Sequence, residues 1–329
     1  MRENYRSNDR SALRTRRVAI AAAVGALLCA CGPGGAASTA TSGTASIRLA
    51  PVDLLIFAPH PDDEVIGVGG VLQQALAGGQ RVRIVFATNG DGYGLAAAAM
   101  FHKAVSALVP ADYLHLAAAR QREAIAAARV LGLRSSNLVF LGYPDGALAS
   151  VYSDVGVTPV QSPTTNRTAT YGPVEIDYHT RAHGRPAPYN LASAQADFEE
   201  ILNDSQPRRV YVTDRADQHS DHKATYALAY GAISAVGYRG PLLTFLVHSG
   251  QGWPWPQGLV PGSQFESHIA AGIAYPVGVP WPPPVRVHLT AAQTAAKERA
   301  LAAYFSQWEV DRQYLESFAK SEEVFWTGF

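Results

Sequence analysis

Residues 56–70 read "IFAPHPDDEVIGVGG", and the reading of this stretch decides the fold. An apolar run of strand-like residues ends at Pro59 and His60, and Asp62, Asp63 and Glu64 then open a helical pattern. In that pattern Val68, Val71/Leu72 and Ala75/Leu76 recur at intervals of three and four, one buried stripe, before Gly78-Gly79 stops it. A strand feeding a helix through a short turn is the first half of a βαβ unit. An acid at the helix start suits the positive end of the helix dipole and accounts for any one of the three carboxylates. It does not account for a histidine beside two adjacent aspartates, which repel unless something positive lies between them.

The same alternation continues down the chain. "DLLIFA", "RVRIVFAT", "SNLVFLGY", "RRVYVT" and "PLLTFLVH" read as strands. Residues 63–77, 117–131, 191–203, 221–236 and 290–306 read as helices between or after them. Strands alternating with helices predict an α/β fold with a mainly parallel sheet and helices on both faces. Function in such sheets gathers beyond the carboxyl ends of the strands. Residues 150–190 break the pattern: they are polar, proline-rich and aperiodic, which predicts a long lid or binding loop on the active-site side, or else disorder. "GVGG" at 67–70 lies inside a helix and lacks dinucleotide-fold spacing, so it predicts close helix–sheet packing.

The ends of two of these strands carry chemistry. "VYVTDRADQHSDHKATY" (210–226) again runs from strand through loop to helix, with His219 and His222 three apart at the helix start. If both strands are parallel, both clusters lie at one sheet edge. His60, Asp63 and one of His219/His222 then form a nitrogen/oxygen set that suits zinc and leaves one position for water. Asp62 is left to face that water.

Other classes recede. Lys+Arg and Asp+Glu balance at 27 each, so no net field draws the chain to nucleic acid. The two cysteines, Cys29 and Cys31, precede the folded part and leave it without a thiol nucleophile or a cysteine zinc site. No serine stands in a G-x-S-x-G elbow. Arg14, Arg16 and Arg17 followed by "VAIAAAVGALLCAC" describe an export signal over residues 1–31. Leu28-Cys29-Ala30-Cys31 resembles a bacterial lipobox, with Cys31 as the lipidated residue; an ordinary cleaved signal is the alternative, and "TRRVAI" is a weak twin-arginine match. Residues 32–50 read as a flexible tether, which makes residues 51–329 the folded domain of an exported, envelope-anchored or periplasmic protein.

Taken in order, "APHPDDEVIGVGG", "ATNGDGYG", "RQREAIAAARVLGL", "NLVFLGYPDG", "VTDRADQHSDH" and "KERALAAYFSQWEVDRQYLESFAKSEEVFW" resemble the PIG-L/LmbE family of zinc-dependent N-acetylglucosaminyl deacetylases and related amidases over most of 53–329. The resemblance implies a Rossmann-like three-layer sandwich. It implies Zn²⁺ held by His60, Asp63 and His222, with Asp62 as the base that activates water. It also implies His219 as a protonated imidazole serving the oxyanion or the leaving amine, with Asp221 orienting it. Arg120 matches the family's substrate-contacting arginine, and Asn89, Asp91 and Asp145 fall in site-lining strings. The substrate so implied is an N-acyl amino sugar or glycoconjugate. A saccharide-binding lipoprotein without turnover and a zinc amidase on a non-sugar conjugate are the alternatives.

Several side chains are weighed on residue type alone. Trp253 and Trp255 stack on a sugar or only pack their proline-rich loop. His248 ends a strand and reaches the rim of the site, whereas His102, His115, His179, His183, His268 and His288 have no constellation. Tyr304, Phe305 and Trp308 read as core.

Overall fold

The chain alternates as its hydrophobic pattern dictates. In the computed structural model, which describes residues 48–156, 158–250, 255, 262–265 and 276–328, strand β1 (Leu54–Ala58) leads into helix α1 (Asp63–Ala77). There follow β2 (Val82–Thr88), α2 (Gly94–Phe101), α3 (Pro110–Val130), β3 (Leu138–Tyr143) and the short α4 (Leu148–Ser153) and α5 (Tyr178–His183). Then come α6 (Leu191–Ser205), β4 (Arg209–Thr213), α7 (Ser220–Val236), β5 (Leu242–Phe245) and β6 (Val285–His288). Helices α8 (Ala291–Ala302) and α9 (Phe305–Ser317) and strand β7 (Glu322–Thr327) complete it. The described residues fall within one compact unit, 44–329. Cys31, the signal and most of the tether lie outside the described residues, as do Trp253 and His268.

The sheet has the order β3-β2-β1-β4-β5-β7-β6, a mixed α/β arrangement in which β1 to β5 are parallel and β7 is antiparallel to both its neighbours. Both faces are covered, and the pleat assigns them. Leu54, Ile56 and Ala58 pack with Val68, Leu72, Ala128 and Leu301, while Leu55 and Phe57 pack with Phe198, Ile201 and Leu228. β1 is buried along its whole length, as a central parallel strand must be. The chain lays β2 and β3 to one side of β1, then crosses to start β4 on the other. The gap beyond β1 and β4 is therefore the topological switch point where such sheets bind ligands.

The five expected strands are all present. Helix α3 starts earlier than the periodicity indicated, because Pro110 takes the first helical position and Asp112 accepts from the Val109 N–H at 2.9 Å. The expected helix over 290–306 is two helices, α8 and α9, joined at Tyr304. Tyr304 is core, Trp308 partly so, but Phe305 is 62% exposed and is not. The glycines of "GVGG" serve close packing: a Cβ on Gly67 would lie 2.2 Å from the Phe245 ring.

Residues 150–190 are more ordered than their composition suggested. They carry α4, α5 and an isolated bridge between Ala169 and Pro188. They press so close on β3 that a Cβ on Gly142 would meet the Tyr171 carbonyl oxygen at 2.1 Å. Among the described residues none of this segment lines the cleft at the switch point.

Candidate metal centre and cleft

The three acids after β1 point three ways. Asp62 occupies the N-cap position of α1 but its side chain makes no capping bond. Instead Oδ2 accepts from Arg120 Nη2 at 2.9 Å, and the residue sits at φ 126°, a region that costs a non-glycine residue about 1–3 kcal/mol. Glu64 holds that turn: Oε2 accepts from the Asp62 N–H at 3.1 Å and Oε1 from the buried Tyr304 hydroxyl. Burial pushes Glu64 up to about 8, against the Tyr304 bond, so it is a structural acid.

Asp63 points to the metal-type cluster. Its Oδ2 lies 3.2 Å from His60 Nδ1 and 3.3 Å from His222 Nε2, and those two nitrogens are 3.2 Å apart. Protons cannot satisfy every edge of such a triangle with good geometry, whereas one cation at its centre satisfies all three donors. Donors set tetrahedrally at zinc distances of about 2.0–2.1 Å would be about 3.3–3.4 Å apart, so the residues present fit the ion. Behind them each imidazole faces carboxylate: His60 Nε2 is 3.2 Å from Asp145 and 3.5 Å from Asp221, and His222 Nδ1 is 3.2 Å from Asp217. That carboxylate–histidine pairing orients ligating rings.

The electrostatics agree. Burial alone would lower His222, but Asp217 and Asp63 outweigh it and push it up to about 9. His60 is likewise driven well above its usual value against burial, chiefly by Asp145. Burial would raise Asp63, yet His222 and His60 hold it well below the carboxylate range. Asp62 is lifted by burial to about 7, with Arg120 opposing. The pocket thus collects positive charge at the triad, and metal binding would displace protons there.

His219 has surroundings that favour its neutral form. It caps α7, and its Nδ1 accepts from the Asp221 N–H at 3.2 Å. With that lone pair engaged the ring is the neutral Nε2–H tautomer; burial beside His60 and His222 lowers it to about 4. Asp221 donates its backbone N–H to His219, and its charge acts on the ring from nearby. Its carboxylate accepts from the N–H groups of Gly146 and Leu148 and faces His60.

Of these groups His60, Asp62, Asp63 and His219 line a cleft of about 400 Å³, together with Tyr93, Arg120, Asp145, His248, Gln307, Asp311 and Tyr314. Arg120 is 3% exposed; Nη1 donates to the Gly90 carbonyl and Nη2 to the Pro61 carbonyl as well as to Asp62, so it holds Asp62 in place, while its buried Nε has no hydrogen-bond partner among the described residues. Asn89 and Asp91 are not on the wall. Asn89 is spent on the Tyr171 carbonyl and Gln121, and Asp91 accepts from the Tyr171 hydroxyl, so both fasten the 150–190 segment. Trp255 is packed against Phe265 and Trp281. Sequence reading missed Asp217, which is fully buried and also accepts from the N–H groups of His219, Val247 and His248. The string "DRADQHSDH" held the signal, an acid five residues before His222. Asp217→Asn would keep the backbone bonds to one oxygen and weaken the hold on His222; zinc affinity, measured by competition with a chromogenic chelator, should fall about 10–100-fold.

Fold and site together define an α/β protein with a His₂Asp donor triad and a further aspartate beside it at the switch point of its sheet. Residues 55–233 match the PIG-L family, described as GlcNAc-PI de-N-acetylase, and the chain belongs to that family. It is similar in structure to Dbv21, the deacetylase of an antimicrobial reagent's pseudoaglycone (18% identity, 84% of this chain and 96% of that chain, TM-score 0.51). It is also similar to a conserved protein from Thermus thermophilus (23%, 84% and 95%, 0.49) and to N,N'-diacetylchitobiose deacetylase from Pyrococcus horikoshii (19%, 84% and 83%, 0.45). None of the curated proteins matches the sequence.

Proposed function

We propose that this protein is a zinc-dependent N-deacylase acting on an N-acyl, most simply N-acetyl, amino sugar or glycoconjugate. The observation that carries the reading is the convergence of His60 Nδ1, Asp63 Oδ2 and His222 Nε2 beside Asp62. A divalent ion held by His60, Asp63 and His222 supplies Lewis-acid polarisation and makes water acidic enough to attack near neutral pH. Asp62, fixed by Arg120 and by its own constrained backbone, takes the proton of the attacking water. His219, held by its Nδ1 at the cap of α7, offers its Nε2–H to the oxygen that gains negative charge. As the amide C–N bond breaks, the proton on Asp62 passes to the departing nitrogen, leaving a carboxylic acid and a free amine. Asp145 and Asp221 keep the His60 ring turned toward the triad.

The basic and apolar start of the chain and the Leu28–Cys31 string support a location in the bacterial envelope, with Cys31 as lipid anchor. Among the described residues no helix is long and apolar enough to cross a membrane.

The test is amine and acetate release from N-acetylglucosamine, its oligomers and glycolipid-like conjugates, with zinc supplied. Release from any of them is the expected result. Bound zinc with no release from any sugar would move the activity to a non-sugar amide. Failure to bind zinc at all would sink the catalytic reading and leave a saccharide-binding protein.

A further inference from the structure

A second cluster of metal-type side chains stands apart from the cleft and shares no residue with it. Helix α5 lies within the 150–190 segment and carries His179 and His183, four apart and so on one face of the helix. Their rings are 4.4 Å apart between centroids. Helix α6 supplies Asp197, which is 1% exposed. Its Oδ1 is 2.7 Å from His179 Nδ1, and its Oδ2 accepts from the Tyr143 hydroxyl at 2.7 Å. Glu200, one turn further along α6, is 2.9 Å from His183 Nε2. One donor atom from each of His179, His183 and Asp197 lies within 4.8 Å of the other two.

Two ordinary histidine–carboxylate bonds would be the plain reading, each worth about 0–1 kcal/mol at a surface. That reading does not explain why two imidazoles stand ring to ring, since charging both would make them repel. Nor does it explain why a buried aspartate is oriented from behind by Tyr143, as outer partners orient metal ligands. We propose that His179, His183 and Asp197, with Glu200 as the neighbouring carboxylate, form a second site for a divalent transition cation of the zinc type. Two imidazoles with carboxylate oxygen suit such an ion better than calcium or magnesium. The ion would fasten α5 to α6 and so close the long connection between β3 and α6. The same segment holds Asp91 and Asn89 through Tyr171, so its fastening bears on the loop after β2.

The test titrates Zn²⁺ into the chelator-stripped full chain, counting bound equivalents by calorimetry and elemental analysis. The wild type should bind one equivalent more than His183→Ala, whose altered side chain is at the surface. Asp63→Ala should keep that extra equivalent, so failure of the catalytic site and failure of this one are read separately. Zn²⁺ should also slow tryptic cleavage at the exposed Arg181 in the wild type by severalfold, but not in His183→Ala. Equal zinc counts in wild type and His183→Ala, or cleavage that zinc leaves unchanged, would overturn the proposal.

Discussion

Asp62→Asn should lower kcat for amide hydrolysis by about 10²–10⁴-fold while zinc content and KM stay near wild type. Asparagine is the informative replacement. It keeps the shape, tolerates unusual backbone conformations better than alanine and can still accept from Arg120, yet it cannot take a proton. The side chain has no other task to lose: it makes no capping bond to α1 and faces the cleft, while the Asp62 N–H is held by Glu64. Asp63→Asn gives the contrast. Asp63 Oδ2 is one corner of the donor triangle, so that variant should lose zinc and activity together. Steady-state kinetics beside elemental analysis separate the two. If Asp62→Asn retained more than a tenth of the wild-type rate with its metal in place, Asp62 would not be the proton acceptor.

The second large effect is on stability and lies behind the site. Lys297 Nζ, on α8, sits 2.7 Å from Glu323 Oε1 on β7 and 2.8 Å from the Ile66 carbonyl in α1. Glu323 also accepts from the N–H groups of Gly70 and Val71 at 2.7 and 2.8 Å. Both side chains are 1% exposed. Three elements distant in sequence are thus joined through one ion pair in the core that backs α1, the helix that begins at Asp63. Lys297→Met replaces the cation with an apolar chain of similar length and strands a buried carboxylate. Urea unfolding should show a loss of about 3–5 kcal/mol. Glu323→Gln, which can still accept from one backbone N–H, should lose less. A change under about 1 kcal/mol in Lys297→Met would mean that the pair only breaks even with an apolar core.

What the sequence determined by itself is whatever local chemistry encodes. The parallel strands follow from runs of β-branched and aromatic residues. The helices follow from three- and four-residue periodicity stopped at glycines such as Gly78 and Gly132. The donor types follow from "HPDDE" and "HSDH" at strand ends. Because parallel strands in one sheet share a carboxyl edge, the meeting of His60 with the His219/His222 pair was also legible from the sequence.

Only the tertiary structure decided the rest, because it depends on contacts between residues far apart in the chain. β7 opens with Glu322 and Glu323, which read as polar until the fold buries them against Arg286 and Lys297. Asp217 is one acid among three in its string until β5 and α7 close around it. Arg120 reaches Asp62 because Gly90 lets the guanidinium lie against the loop after β2. His179 and His183 have no partner in sequence; α6 brings them one. Periodicity and residue type fix which groups are available, and desolvation and long-range packing fix what each of them faces.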